Sequence, residues 1–211
     1  MKKRNLTSRQ IKALETRKVL FDTARALFTE KGFDTVSVDE IVAKAGTSKG
    51  SFYTHFKSKE MVLIDEFRQI DAHHVEVFKS LPSGQTATEK LVSFVTQTYT
   101  YVAEEIGIDI VRIVYINQIK HDAQERCFID EHGALFRIVR TILDEGRKSG
   151  EFRTDISAGD LTRMVVRCMR GTLYDWCLYE GRLDLVDDGE KFCSIFMKGI
   201  QNQTPPGSIH S

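Results

Sequence analysis

The stretch GTSKGSFYTHFKSKE, residues 46–60, combines two kinds of residue. Phe52 and Phe56 recur at a spacing of four, which places both on one face of a helix. The residues around them are short and hydrogen-bonding or basic, among them Lys49 and His55. The segment is therefore predicted to be a short helix that buries its phenylalanines and turns its polar side toward a polar partner.

A second short helix is predicted directly before it, in SVDEIVAKA, residues 37–45. Ser37 followed three residues later by Glu40 is the pattern of a capping box. Gly46 then ends this helix, and Gly46-Thr47-Ser48 forms a tight turn. Two short helices joined by such a turn make a helix-turn-helix.

The polar side of this motif has the chemistry of a DNA-binding surface. Lysine and histidine can donate to guanine, and hydroxyl groups can reach phosphates. Gly50 lets the helix approach a groove closely, and the helix starts at Ser37 and Lys59 present N–H groups that suit phosphate. The side chains predicted to project outward are Thr47, Ser48, Lys49, Ser51, Tyr53, Thr54 and His55.

The charge distribution favours the same partner. The chain of 211 residues has no net charge. Residues 1–60 nevertheless hold 13 lysines and arginines against 7 aspartates and glutamates, a net charge of +6, and the remainder carries −6. A basic first part is typical of contact with phosphate.

Most of the remaining chain shows apolar residues at spacings of three and four, which predicts amphipathic helices. Helices are predicted over residues 8–31, 59–79, 87–104, 108–120, 132–148, 160–179 and 189–201. We therefore predict an all-α protein with a helix-turn-helix DNA-binding domain over residues 8–58, a larger helical domain over 59–203 and a disordered tail over 204–211.

Other classes of protein find little support. No apolar run approaches the roughly 20 residues of a membrane helix, and no secretory leader is evident, so a cytoplasmic protein is expected. We predict no metal site, no cofactor and no catalytic residue, because neither metal-ligand spacings nor a catalytic motif is present. The four cysteines are expected to be buried free thiols: Cys127, Cys168, Cys177 and Cys193.

Residues 16–67 resemble the DNA-binding domain of the TetR family of bacterial regulators. The resemblance is carried by A-x-x-L-F-x-x-K-G-F at 24–33, V-S-V-D-E-I at 36–41 and AGTSKGSFYTHFKSKE at 45–60. It implies that Thr47, Ser48, Lys49 and Ser51 face the groove, and that the contacts to phosphate come mainly from Ser37, Tyr53, His55 and Lys59. Val42 and Thr47 depart from the family, which usually has alanine and often has valine at these positions.

For the larger domain the resemblance implies a homodimer formed through the last two helices of each subunit, and a small-molecule effector. Interior glycines are costly in helices unless something packs closely against them. The residues predicted for the dimer interface are Gly171, Phe192, Ile195, Phe196, Gly199 and Ile200. The alternative is that these residues face the protein's own core.

Effector contacts are predicted from polar and large residues on otherwise apolar helix faces: Thr98, Tyr99, Tyr115, Asn117, Met164, Thr172 and Trp176. For each of them an ordinary core position is the alternative. The sequence thus predicts a homodimeric regulator, a repressor released from a palindromic operator by an unknown effector. The alternatives are a DNA-associated interaction protein without an effector, and a helical enzyme.

Overall fold

The computed structural model describes residues 7–120 and 130–202, without the side chains of residues 63–68, 117 and 120. The described residues form helices and turns, with one isolated antiparallel bridge between Phe152 and Gln201. The helices are α1 (Ser8–Lys31), α2 (Val38–Lys44), α3 (Lys49–His55), α4 (Lys59–Ser80), α5 (Ala87–Tyr101) with a following π-helical turn (Val102–Ile106), α6 (Ile108–Lys120), α7 (Ala134–Lys148), α8 (Ala158–Leu178) and α9 (Leu185–Ile200). The predicted all-α fold is confirmed. The predicted tail and Cys127 lie outside the described residues.

The boundaries between α1 and α2 follow the predicted caps in part. The Ser37 hydroxyl accepts the N–H of Glu40 at 3.2 Å, as a capping box requires. The Glu40 carboxylate instead pairs with Lys31 at 2.5 Å, so the second half of the box is replaced by an ion pair to α1. Gly32 ends α1 with φ 81° and ψ 146°, a positive φ that favours glycine but lies outside the left-handed helical region.

The turn between α2 and α3 is a Schellman motif. Gly46 has φ 65°, its N–H donates to the Ala43 carbonyl at 3.3 Å, and the Thr47 N–H donates to the Val42 carbonyl at 3.0 Å. This pairing satisfies two carbonyls at the end of α2. It therefore fixes the direction in which α3 leaves the turn.

The first three helices enclose a small core. Ile41 from α2, Phe52 from α3 and Phe56, which directly follows α3, are buried in the core with Leu20 and Phe28 of α1. Burial of the two phenylalanines was predicted. The aromatic rings of Phe52 and Phe56 lie 5.6 Å apart. Burial of this face leaves the opposite side of α3 at the surface.

Several helix starts differ from their predicted positions because of caps. Helix α9 begins at Leu185, before the predicted residue 189, since the Asp184 carboxylate accepts the N–H groups of Val186 and Asp187 at 3.1 and 3.0 Å. Helix α8 begins at Ala158 because the Ser157 hydroxyl accepts the Asp160 N–H. Ser58, which precedes α4, makes no such side-chain bond.

Two glycines allow close packing in the larger domain. The ring of Phe152 lies over Gly146 of α7, and the ring of Tyr99 from α5 lies over Gly189 of α9. A Cβ atom at either glycine would overlap the ring. Helices α5, α7 and α9 therefore pack closely, whereas a cavity remains among α4, α5, α6, α7 and α8.

The two parts of the molecule meet where the π-helical turn reaches α1. The guanidinium of Arg25 on α1 donates to the carbonyl of Glu105 and, at 3.5 Å, to that of Ile106. Both carbonyls lie at the end of the π-helical turn. The segment that follows α5 is thereby attached to the DNA-binding domain.

Candidate DNA-binding surface and effector cavity

Helix α3 presents the predicted polar surface. Tyr53 is 54% exposed, and its ring stands edge-on to the buried Phe52 at 5.5 Å. Ser48, Lys49, Gly50 and Thr54 are also exposed, whereas Thr47, Ser51 and His55 are half-buried. The eight positions thus form one continuous surface at the turn and along α3.

The only basic side chain at the start of α3, Lys49, is held by a neighbour on α2. Its ammonium lies 2.8 Å from the carboxylate of Asp39, and both side chains are exposed. The hydrogen bond and the charge of Asp39 raise the pKa of Lys49, so the ammonium stays charged. Asp39 also places a negative charge beside the surface that would meet DNA, and this charge opposes phosphate binding.

Two predicted hydroxyl groups are already used within the helix. The Ser48 hydroxyl accepts the N–H of Ser51 at 3.1 Å as the cap of α3. The Thr54 hydroxyl donates to the Gly50 carbonyl at 2.9 Å. Ser48 therefore positions α3, and its oxygen keeps only its remaining hydrogen-bonding capacity for DNA.

Lys59 is oriented differently from the prediction. Its ammonium donates to the carbonyls of Phe33 and Val36 at 2.7 and 3.0 Å and lies 4.4 Å from the centre of the Phe33 ring. The side chain thus ties the start of α4 to the loop between α1 and α2. Its backbone still begins a helix, so the helix start rather than the ammonium suits a phosphate.

A cavity of about 380 Å³ opens among α4, α5, α6, α7 and α8. Its wall is mainly apolar, with Ile110, Val111 and Val114 from α6, Leu135 and Phe136 from α7, and Met169 and Leu173 from α8. Pockets for small molecules have this apolar character and span about 300–1,000 Å³. The polar residues on the wall are Asp71, His74, Thr98, Tyr99, Tyr115, Asp130 and Arg170.

The two tyrosines of the cavity are fixed by bonds to α8. Tyr99 donates its hydroxyl hydrogen to the Met169 carbonyl at 2.9 Å, and Tyr115 donates to the Arg170 carbonyl at 2.6 Å. Burial raises the pKa of both phenols, so both remain neutral donors. Their rings therefore shape the wall, while their hydroxyl groups hold α5 and α6 against α8.

On the α4 side, Asp71 connects the cavity to the start of α7. Its carboxylate accepts the Ala134 N–H at 3.4 Å and lies 3.6 Å from Nδ1 of His74. The contact with His74 is the main cause that lowers the pKa of Asp71. Gly133, which precedes α7, has no side chain that could accept an N–H group at the start of that helix. The Asp71 carboxylate on α4 accepts the Ala134 N–H instead.

Three of the residues predicted for effector contact, Thr98, Tyr99 and Tyr115, line this cavity. Met164 does not, because it lies 46% exposed on the outer side of α8. Thr172 donates to the Cys168 carbonyl, and Trp176 is buried beside Gly181, so neither forms the wall. The side chain of Asn117 is not described.

The sequence prediction missed Asp71, His74 and Arg170. The spacing of His74 from Ile70 and Val77, four and three residues, could have placed it on the buried face of α4.

Comparison with known proteins identifies the family. The sequence profile described as "Bacterial regulatory proteins, tetR family" matches residues 20–65, and that described as "YsiA-like protein, C-terminal region" matches residues 67–199. The chain belongs to the TetR family of bacterial transcriptional regulators. It is a regulator rather than an enzyme, and it binds operator DNA, forms a dimer and responds to a small-molecule effector. The two profiles meet at residues 65–67, within α4, whereas the predicted domain boundary lies at residue 58.

Relatives and solved structures cover nearly the whole TetR-family chain. The Fatty acid metabolism regulator protein of Bacillus subtilis is 25% identical over 185 residues, 87% of this chain and 95% of the relative. The transcriptional repressor KstR2 of Rhodococcus jostii is 29% identical over 190 residues, 86% of this chain and 89% of the relative. The structure of Thermus thermophilus FadR in complex with lauroyl-CoA has a TM-score of 0.72 and 25% identity, and covers 90% of this chain and 98% of FadR.

In this TetR-family protein the outer sides of α8 and α9 carry an exposed apolar surface. On α8, Met164, Cys168, Gly171 and Leu178 are exposed at spacings of three, four and seven. On α9, Ile195 is 73% exposed and Gly199 is exposed, while Phe192 and Phe196 are half-buried. Apart from the adjoining residues and the backbone of their own helices, no atom of the described residues comes within 4 Å of a Cβ placed on Gly171 or Gly199. An exposed apolar face at heptad-like spacing is typical of a helix that meets a partner helix.

One residue predicted for the dimer interface lies elsewhere. Ile200 is only 5% exposed and packs in the core, and its carbonyl accepts the Arg153 N–H at 2.8 Å. Among the cysteines, Cys177 and Cys193 are buried free thiols as predicted, but Cys168 is exposed. Within the described residues, no helix has the length and apolar content needed to cross a membrane.

Proposed function

We propose that this protein is a cytoplasmic, homodimeric repressor that leaves its palindromic operator when a fatty acyl thioester of coenzyme A binds. The observation that carries the proposal is the apolar cavity in the larger domain. A cavity of about 380 Å³ suits an acyl chain, and the larger, charged coenzyme A moiety would remain outside it. The similarity to a fatty acid metabolism regulator and to a FadR that binds lauroyl-CoA supports this effector class.

The contacts around the π-helical turn provide a route from the cavity to the DNA-binding domain. Val102 and Ile106 of this turn line the cavity, and its last carbonyls hold Arg25 of α1. An occupied cavity that moves the turn would shift α1 and change the separation of the two α3 helices in the dimer. Such coupling requires only that the effector prefers the conformation that fits the operator badly.

The same cavity argues against an interaction protein that lacks an effector, because the central helices of such a protein would be packed without a cavity. A ketosteroid is a second candidate effector. It is supported by the 29% identity to KstR2 and by the similarity to the structure described as the ketosteroid transcriptional regulator KstR2 of Mycobacterium tuberculosis.

The proposal is tested with operator DNA selected from random sequences by the purified protein. A palindromic motif with two half-sites is expected, because each α3 of a symmetric dimer meets one major groove. Addition of lauroyl-CoA should release the labelled operator in a fluorescence anisotropy titration, while free coenzyme A should not.

A matched control fills the cavity without touching the DNA-binding domain. Val114 is buried on the wall, so Val114→Phe is expected to abolish release by lauroyl-CoA and to leave operator binding unchanged. Operator binding that is insensitive to acyl-CoA but responds to a ketosteroid would replace the first effector class with the second. Binding that disappears at moderate salt without a sequence motif would mean phosphate contact alone.

A further inference from the structure

Thr98 stands out among the threonines of the described helices. Thr16, Thr54, Thr100, Thr141, Thr162 and Thr172 each donate their hydroxyl hydrogen to the carbonyl four residues earlier. Among the described residues the hydroxyl of Thr98 has no hydrogen-bond partner, although the residue is only 3% exposed. The hydroxyl of Thr88 in the first turn of α5 also lacks a partner there, but Thr88 does not line the cavity. A buried hydroxyl without a partner costs free energy, so its retention requires a reason.

The position of Thr98 supplies that reason. Thr98 lies on the wall of the cavity, on the helix turn that also carries Tyr99. The Tyr99 hydroxyl already donates its hydrogen to α8, so this hydrogen is not available to a ligand. Thr98 is thus a polar group in a mainly apolar cavity, and its hydroxyl makes no hydrogen bond to the part of the chain that the structure describes.

His74 lies on the same cavity wall, across from α5. It is buried, its Nδ1 lies 3.6 Å from the carboxylate of Asp71, and this distance exceeds the range of a hydrogen bond. Its ring lies 5.7 Å from that of Phe94, which belongs to the turn of α5 before Thr98. The cavity therefore contains a polar position between α4 and α5.

We infer that Thr98, with His74 on the wall of the same cavity, forms a hydrogen-bonding subsite for a neutral oxygen atom of the effector, a carbonyl or hydroxyl oxygen attached to an otherwise apolar skeleton. The inference rests on the proposed function and deepens it, because it specifies what the effector carries inside the cavity. A purely hydrocarbon chain would leave the hydroxyl unsatisfied. The oxygen can be the thioester carbonyl or an oxygen further along the skeleton, and both have the same chemistry.

The first experiment needs no ligand. Thr98→Val keeps the shape of the side chain and removes the unsatisfied hydroxyl, so the unliganded variant is expected to melt about 2–4 °C higher than the wild type. Thr162→Val is the matched control, because Thr162 is equally buried in a helix but donates to the Ala158 carbonyl at 2.7 Å. This control is expected to show no rise in Tm. An unchanged or lower Tm of Thr98→Val would overturn the inference.

The second experiment measures binding of defined probes by calorimetry to the wild type, Thr98→Val and Thr98→Ser. The probes are lauroyl-CoA, S-dodecyl-CoA (which lacks the thioester carbonyl), lauroyl-CoA with a hydroxyl group on the chain, and androstenedione. Thr98→Val is expected to weaken the recognised oxygenated probe about tenfold, while Thr98→Ser retains most of the affinity. S-dodecyl-CoA should bind the wild type and Thr98→Val equally.

The affinities of these probes for the wild type and the variants distinguish the two possible sources of the oxygen atom that Thr98 binds. A tenfold preference of the wild type for lauroyl-CoA over S-dodecyl-CoA, lost in Thr98→Val, places the thioester carbonyl at Thr98. A preference for the hydroxylated chain, lost in the same variant, places a chain oxygen there. If only androstenedione binds and Thr98→Val weakens it, the subsite stands and the acyl thioester proposal fails. Equal binding of every probe to wild type and Thr98→Val, or no binding of any oxygenated probe, overturns the subsite.

Discussion

The ring of Tyr99 lies directly against Gly189, so close that a Cβ atom on the glycine would overlap the ring edge. This contact brings α5 and α9 together and sets the position of Tyr99 in the cavity wall. Gly189 was predicted only as the start of α9, but the helix begins at Leu185 and Gly189 lies within it. A glycine inside a helix is costly, and the contact with the tyrosine ring accounts for it.

Gly189→Ala is therefore expected to displace the Tyr99 ring. The variant should lower the free energy of unfolding by about 1–3 kcal/mol, as overpacking of a core does, measured by urea denaturation. Effector binding should weaken as well, because the ring forms part of the cavity wall. Gly84→Ala in the loop before α5, where a Cβ meets no atom within 4 Å, is the control and should be nearly neutral. Wild-type stability in Gly189→Ala would contradict the close packing.

Dimer formation is predicted to depend on the outer face of α9. Ile195→Glu places a charge in the apolar surface and should raise the dimer dissociation constant at least about tenfold, since burying an unpaired charge is costly. Analytical ultracentrifugation measures this constant. Ser194→Glu adds the same charge to the neighbouring exposed position, which the helical repeat turns away from the Ile195 face, and should leave the dimer intact. Equal effects of the two substitutions would argue against this face as the interface.

The sequence predicted the DNA-binding domain more completely than the larger domain. Caps, the turn glycine and the aromatic spacing are local, so Ser37, Gly46 and Phe52 could be placed from neighbouring residues alone. Helix α8 is different because it has apolar residues on two sides. Periodicity could not tell that Met164 faces outward while Val165 faces the core.

Contacts between distant helices were also out of reach of the sequence. Nothing local shows that Asp71 of α4 caps α7, or that Lys59 binds the loop before α2. The missing partner of Thr98 is likewise visible only once the neighbouring helices are placed. The polar chemistry of the cavity thus depends on packing that no single segment encodes.

The ion pair between Asp39 and Lys49 is predicted to limit DNA affinity. Lys49→Ala should weaken operator binding and reduce the slope of log affinity against log salt concentration by about 1, if the ammonium meets a phosphate. Asp39→Asn removes the opposing charge and should strengthen binding several-fold. Asp187→Asn breaks a comparable exposed pair, with Lys191 on α9, and is expected to leave DNA binding unchanged. Anisotropy titrations at several salt concentrations test all three variants, and weaker binding by Asp39→Asn would show that Asp39 positions Lys49 productively.

Tyr53→Ala should weaken operator binding in the same anisotropy assay without unfolding the domain.

The carboxylate of Asp71 is predicted to make stability depend on pH. Its folded-state pKa lies below the usual 3.8, chiefly because of the contact with His74. A lowered pKa contributes stability above the unfolded-state pKa, and this contribution is lost as the pH falls through the folded-state value. Asp71→Asn should therefore be less stable than the wild type at pH 7, by up to about 1 kcal/mol because solvent screens the half-exposed group. The difference should shrink toward zero as the pH is lowered below about 4.

Urea denaturation of both proteins between pH 7 and pH 3 measures this difference. Asp144→Asn is the matched control, because it removes a carboxylate from an exposed pair with Arg140 on α7 and should have little effect at any pH. A stability loss in Asp71→Asn that stays constant over this range would show that the cap on the Ala134 N–H, rather than the charge, accounts for the contribution of Asp71. The charge-dependent link between α4 and α7 along the cavity would then be ruled out.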